Sequence, residues 1–84
     1  MWYRYKNLSR KSSVVCYQIN SSSIEIMFSD NAYYVYPVQN LGITHFEEMK
    51  KYAIRGEYLN RFIGRYVSNR YSYKDKRPFP PLIN

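Results

Sequence analysis

From Ser23 to Ser29 apolar and polar residues alternate: Ile24, Ile26 and Phe28 fall on one side, Glu25 and Met27 on the other. That period of two is the pattern of a half-buried β-strand. Upstream, Ser13 to Ile19 reads SVVCYQI, rich in β-branched and aromatic residues, and predicts another strand. The NSSS run between them predicts a turn. Downstream, AYYVYPV from Ala32 to Val38 predicts a third strand, with Pro37 near its end or on an edge because proline has no N–H to donate. Asp30-Asn31 marks the turn before it, since asparagine tolerates positive φ.

The period lengthens after Asn40-Leu41-Gly42. Phe46, Met49, Tyr52 and Ala53 recur at helical spacing. Thr44 and Glu47 have the spacing of a capping box. Early acids and later Lys50-Lys51 suit the helix dipole, and Gly56 predicts the stop. A second helix is predicted from about Glu57 to Val67. Leu59, Phe62, Ile63 and Tyr66 form its apolar stripe at i, i+3, i+4 and i+7, with Arg61 and Arg65 on the polar side. Gly64 inside it costs up to about 1 kcal/mol against alanine, and marks either close packing or the approach of a ligand.

The elements predict an α+β fold: a small antiparallel sheet of three strands followed by two short helices packed on one face. Residues 1–11 alternate aromatic and basic side chains and form either a flexible arm or a fourth, edge strand. Residues 12–67 make the domain proper. Residues 68–84 predict a basic, Pro-rich tail, extended rather than a regular element.

Which way the tyrosines point depends on one turn. Tyr34 and Tyr36 share a face of the third strand; Tyr33 and Val35 share the other. A two-residue loop at Asp30-Asn31 sets Phe28 opposite Tyr33 and turns Tyr34 and Tyr36 outward. A three-residue loop with Asn31 left-handed sets Phe28 opposite Tyr34 and turns both inward. A slip of one residue reverses every side chain, and with both faces apolar the pattern leaves the two arrangements open.

At 84 residues the chain supports one small core, and a homo-oligomer is one way to bury more. The formal net charge is +7, with 11 tyrosines. The thirteen cations avoid Ser12 to Met49 altogether: four precede it and nine follow. If the two ends meet in space they make one positive surface, suited to an anionic partner with bases to stack on. The single cysteine, Cys16, has no disulfide partner and reads as a small buried hydrophobe. With no secretory h-region and no apolar run long enough to span a bilayer, the expected setting is cytoplasmic and reducing, without membrane association.

Catalysis needs a nucleophile with a base, a carboxylate pair or a metal cluster. The only histidine, His45, sits just after the expected helix cap and reads as solvent-facing; the acids are scattered, and no zinc spacing or Gly-rich phosphate loop occurs. The expectation is a protein that is no enzyme, with no cofactor and no metal. Binding has better candidates. Arg55, Asn60, Arg61 and Arg65 cluster on or beside the second helix, where guanidinium groups hold phosphate bidentately, and Tyr58 lies close enough in sequence to stack a base. Trp2, Tyr3 and Tyr5, interleaved with Arg4 and Lys6, fit a stacking and charge arm for single strands or an edge strand. Tyr34 and Tyr36 are candidates for a ligand wall or for core packing.

Between Ser12 and about Tyr66 the chain resembles the KTSC domain. This short family is found alone in bacterial and phage proteins and at the C-terminus of some lysyl-tRNA synthetases. The resemblance rests on the Ser-rich lead into SSVVCYQI, on a second strand ending in the aromatic Phe28 before a turn, and on Tyr34-Val35-Tyr36 followed by Val38. It continues with Gly56-Glu57-Tyr58-Leu59-Asn60, and with Ile63 and Tyr66. Asn31 stands where the family has its turn glycine, and Ile54 where a serine is frequent. The arm and the tail fall outside the pattern. The resemblance implies a β-β-β-α-α unit without established activity, for which RNA binding has been suggested, in a bacterial cell or phage-infected host. It implies Tyr34 and Tyr36 facing the helices, with Val35 leaving an apolar patch on the other face for a subunit contact to cover.

The expected function is a non-catalytic binding module for a phosphate-bearing ligand, RNA or another nucleic acid first, through arginine and tyrosine side chains. Two alternatives are a phage-type small protein that sequesters a signalling nucleotide as an anti-defence measure, and a protein-interaction module working through the Pro-rich tail or the Val35 face.

Overall fold

A computed structural model describes residues 1–84. The alternating segments pair as expected and are joined by two further strands. β1 (Tyr3–Arg4), β2 (Val14–Ile19), β3 (Ser23–Phe28), β4 (Ala32–Pro37) and β5 (Tyr73–Lys76) form one antiparallel sheet in chain order. Between β4 and β5 come α1 (Val38–Leu41), α2 (Ile43–Arg55) and α3 (Leu59–Phe62), the last running on into a π-helical turn (Ile63–Val67). No helix is long and apolar enough to cross a membrane.

The turn between β3 and β4 decides the faces. Asn31 takes φ 69°, and its N–H donates to the Phe28 carbonyl at 2.9 Å. Asp30 Oδ1 accepts the Ala32 N–H at 3.0 Å. Ser29, Asp30 and Asn31 thus form the loop between the strand ends. Tyr34 and Tyr36 turn toward the helices, as in the left-handed Asn31 alternative. The register is shifted by two residues from that alternative: Tyr34 lies opposite Ile26 rather than Phe28, because the loop begins one residue earlier. Phe28 meets the Tyr34 ring edge-on at 5.5 Å.

The core lies between the sheet and the helices. Ile24, Ile26 and Tyr36 pack there with Phe46, Met49, Leu59 and Val67, and each fully buried aliphatic or aromatic side chain contributes about 1.5–3 kcal/mol. A bulge in β2 sorts its residues. Val14 lies opposite Phe28 but Cys16 lies opposite Met27, so Val15 is an extra residue in the ladder. Val14 and Tyr17 consequently face the helices, while Val15 and Cys16 join Met27, Tyr33 and Val35 on the outer face.

The termini belong to the fold. The N-terminal segment is an edge strand and not a free arm. Tyr3 and Arg4 pair with Tyr17 and Cys16, and buried Tyr5 accepts the Leu59 N–H on its hydroxyl at 3.3 Å. The C-terminal segment corrects the expectation of a tail without regular structure. It supplies β5, with Asp75 opposite Tyr33, then crosses the outer face, where Leu82 packs on Cys16, Met27 and Tyr33. Ile83 finally pairs in parallel with Tyr3. The Ile83 N–H donates to the Trp2 carbonyl at 2.9 Å, and the Arg4 N–H to the Ile83 carbonyl at 2.8 Å. The apolar face around Val35 is therefore covered by the chain's own end.

Three helix expectations change. The Thr44–Glu47 capping box does not form. The single turn of α1 leads into α2 through Gly42, at φ 83°, so the helix already starts at Ile43 with no side-chain cap bond. Thr44 is then inside the first turn, and Glu47 pairs instead with Lys50 at 2.8 Å. Helix α3 starts at Leu59 rather than about Glu57, because Tyr58 takes φ 70°. The π-turn adds a residue to the last repeat, so Val67 takes the fully buried position and Tyr66 is 50% exposed. Gly56 does end α2, at φ 82° with its N–H on the Tyr52 carbonyl at 3.0 Å. A Cβ there would run into the Lys6 side chain as well.

Candidate functional site

The left-handed Tyr58 and the π-turn together build a basic, aromatic groove along α3. Tyr58 throws its ring outward, 55% exposed, and the Arg61 guanidinium lies 5.8 Å from that ring's centroid. One cavity of about 300 Å³ is lined by Tyr52, Tyr58, Arg61, Phe62, Arg65 and Tyr66. Its rings are in contact in series, with centroids 5.9 Å apart for Tyr52–Tyr58, 5.5 Å for Tyr52–Phe62 and 5.3 Å for Phe62–Tyr66. A second cavity of about 470 Å³ shares Tyr58 and Arg61 and adds Lys11, Ser9, Ser12 and Asn60. The groove therefore runs continuously from Lys11 past Arg61 to Arg65.

The two central cations are unpaired. The ion pairs of the chain are Lys50–Glu47, Arg55–Glu57, Lys76–Asp30 and Arg77–Asp75. Arg61 and Arg65 thus keep their guanidinium donors for a ligand, and exposed guanidinium groups are the natural partners of phosphate. Arg55 is engaged with Glu57 at 3.2 Å, which neutralises the one acid of the groove wall but takes Arg55 out of the free set.

The remaining expected site residues lie elsewhere. Tyr34 and Tyr36 stack 6.1 Å apart on the helix side of the sheet. They line a third cavity of about 400 Å³ together with Ile63 of the π-turn. Burial, with the nearby Tyr34 and Tyr71 hydroxyls, pushes the Tyr36 hydroxyl well above the ordinary tyrosine range. Trp2 packs on the outer face, 6.0 Å from Tyr33, and the Arg4 Nε donates to Asn84 Oδ1 at 2.6 Å. Both hold the C-terminal segment against the sheet face away from α3, so the structure does not bring them to Arg61. The outer face has its own polar cluster. Arg77 lies 3.7 Å over the Tyr33 ring and is held bidentately by Asp75 at 2.8 and 3.1 Å.

Pattern reading missed Lys11, Tyr52, Phe62 and Tyr66 as groove members. Lys11 counted only as one charge among several, since spacing cannot say which loop cation reaches α3. Tyr52 and Tyr66 were assigned to apolar stripes. His45, expected to face solvent, is half-buried with its ring 5.6 Å from Phe62 and 5.5 Å from Tyr66. Cys16 is fully buried, as expected, and burial raises its thiol to about 11, which keeps it protonated at neutral pH. No group of three or more His, Cys, Asp or Glu side chains is placed to hold a metal ion.

None of the protein-family models, curated proteins or solved structures compared with this chain matches it.

Proposed function

We propose that the chain is a cytoplasmic, non-catalytic module that binds single-stranded nucleic acid, RNA first, along the α3 groove. Phosphates sit on Arg61, Arg65 and Lys11, and bases stack on Tyr58 and Tyr66. The observation that carries this reading is that Arg61 and Arg65, without carboxylate partners, flank a row of rings whose outer members are half exposed. Base–aromatic stacking contributes about 1–3 kcal/mol per base and tolerates any sequence. The groove extends over two adjoining cavities and is open along its length, which favours a strand over a single enclosed nucleotide, since small-ligand sites bury about 70–90% of their ligand. Kinship with the KTSC domain belongs to the same proposal, supported by the strand–strand–strand–helix–helix order of β2, β3, β4, α2 and α3.

Binding of a labelled single-stranded RNA decamer, followed by anisotropy over a range of salt, tests it. The expected affinity is about micromolar, falling with salt at a slope of about −0.7 per phosphate contacted. Arg61→Glu with Arg65→Glu should reduce affinity at least about tenfold and flatten the slope by about 1.4. Both side chains are exposed, so melting should stay within about 0.5 kcal/mol of wild type. Unchanged binding by the folded double variant would rule the groove out.

A further inference from the structure

We infer that the cavity between β4 and the π-turn receives a single guanine base of the bound strand, read by Asp30. This rests on the arginine-groove reading and adds the base that the protein selects. The cavity, about 400 Å³, has walls of Phe28, Tyr34 and Tyr36, a rim of Ser13, Ser29 and Asp30, and no lining cation. Rings with a few convergent polar groups suit a planar heterocycle; a rim carboxylate and no cation among the lining residues favour a base over phosphate.

Two observations mark the cavity as more than a packing gap. The first is Tyr36, whose residue is only 1% exposed. The hydroxyls of Tyr5, Tyr33 and Tyr73 are hydrogen-bonded within the chain, but that of Tyr36 is not. No fully buried side-chain oxygen lacks a partner, so this hydroxyl keeps some accessible surface. A wall residue of the cavity thus carries a donor and acceptor without a partner in the chain. The second is the junction with the groove. Ser13, on the rim, donates through Oγ to Asn60 Oδ1 at 3.2 Å, and Asn60 lines the neighbouring cavity with Arg61 and Lys11. A base seated among the tyrosines would carry its own phosphate across that bridge to those two cations.

The chemistry of Asp30 selects among the bases. Its Oδ1 accepts one N–H from Ala32, and Lys76 Nζ stands 3.8 Å from Oδ2, beyond hydrogen-bond range. A carboxylate offers about four acceptor sites, so both oxygens retain capacity. Guanine alone presents two adjacent donors, N1–H and the 2-amino group, which match two carboxylate oxygens. Adenine and cytosine set an amino donor beside a ring acceptor that a carboxylate oxygen repels, and uracil offers one donor between two carbonyls.

Five labelled pentamers, UUXUU with X as guanosine, inosine, adenosine, cytidine or uridine, decide the matter by anisotropy at one low salt concentration. Wild type should bind the guanosine probe about tenfold more tightly than the adenosine probe, with inosine, which lacks the 2-amino group, in between. Asp30→Asn keeps an oxygen for the Ala32 N–H, so it should fold normally. It should erase the difference between the guanosine and adenosine probes, with any change common to all five probes reporting the lost negative charge. Equal binding of all five probes by wild type, still abolished by Arg61→Glu with Arg65→Glu, overturns the guanine recess and leaves the groove standing. A guanosine preference that survives Asp30→Asn overturns the role of Asp30. No binding of any probe overturns the groove and the recess together.

Discussion

Tyr33 and Tyr36 sit on the same strand and put their hydroxyls to opposite uses. Tyr33, on the outer face, donates to Glu25 Oε1 at 2.6 Å. Burial, reinforced by that carboxylate, pushes its hydroxyl up to about 12. Tyr36, on the helix face, keeps its hydroxyl unpaired. Together with Cys16, raised by burial to about 11, these groups make folding sensitive to base. A neutral group whose folded pKa lies above its unfolded value contributes stability that is complete below the unfolded pKa and is lost as pH rises through the folded one. The unfolded thiol and phenol titrate near 9.0 and 10.0. Urea unfolding should therefore give constant stability from these groups up to about pH 8.5 and a decline from about pH 9 to pH 12. Tyr33→Phe should make the upper part of that decline shallower. A stability profile flat to pH 12 would contradict the burial assigned to Cys16 and Tyr33. The inward turn of Tyr34 and Tyr36 was implied by the KTSC resemblance, but the residue pattern alone left it as one of two alternatives. It hangs on the backbone of a single residue, Asn31, and side-chain pattern cannot report a φ angle when both faces of the strand are apolar.

Among the elements, β3 and the Leu59, Phe62 and Ile63 stripe could be read from period, and β2 and β4 from their β-branched and aromatic content. β5 could not be read, because an exposed edge strand of sequence YKDK has no apolar face to betray it. The π-turn could not be read either: its extra residue comes from packing Val67 into the core, and it moves Tyr66 from the expected stripe into the groove. Gly64 lies in that turn, exposed and outside the positive-φ region, with nothing within 4 Å of the place a Cβ would occupy. Close packing is thus not its reason. Gly64→Ala should stabilise the fold by about 0.5–1 kcal/mol, a rise in Tm of about 2–8 °C for a domain of this size. A lower Tm in a calorimetric scan would show that the turn needs glycine for its backbone.

Over the whole molecule the cations do not gather on one face. The expectation of one surface made by both ends holds for Lys11, Arg61 and Arg65, which share a groove. It fails for Arg4 and Arg77, which hold the C-terminal segment and the Tyr33 ring on the far side of the sheet. Charge counting could place the cations along the chain but not around the sheet, because the crossing of residues 77–84 over the outer face depends on contacts far apart in sequence. On the proposed function, one face alone meets the RNA. The most direct test is an NMR titration of isotopically labelled protein with a single-stranded RNA decamer at low salt. Progressive shifts are predicted at Lys11, Tyr58, Arg61, Arg65 and Tyr66, with the Trp2 indole and the Arg4 and Arg77 side chains unmoved. Shifts centred on Trp2, Arg4 and Arg77, or no shifts at saturating RNA, would contradict the account.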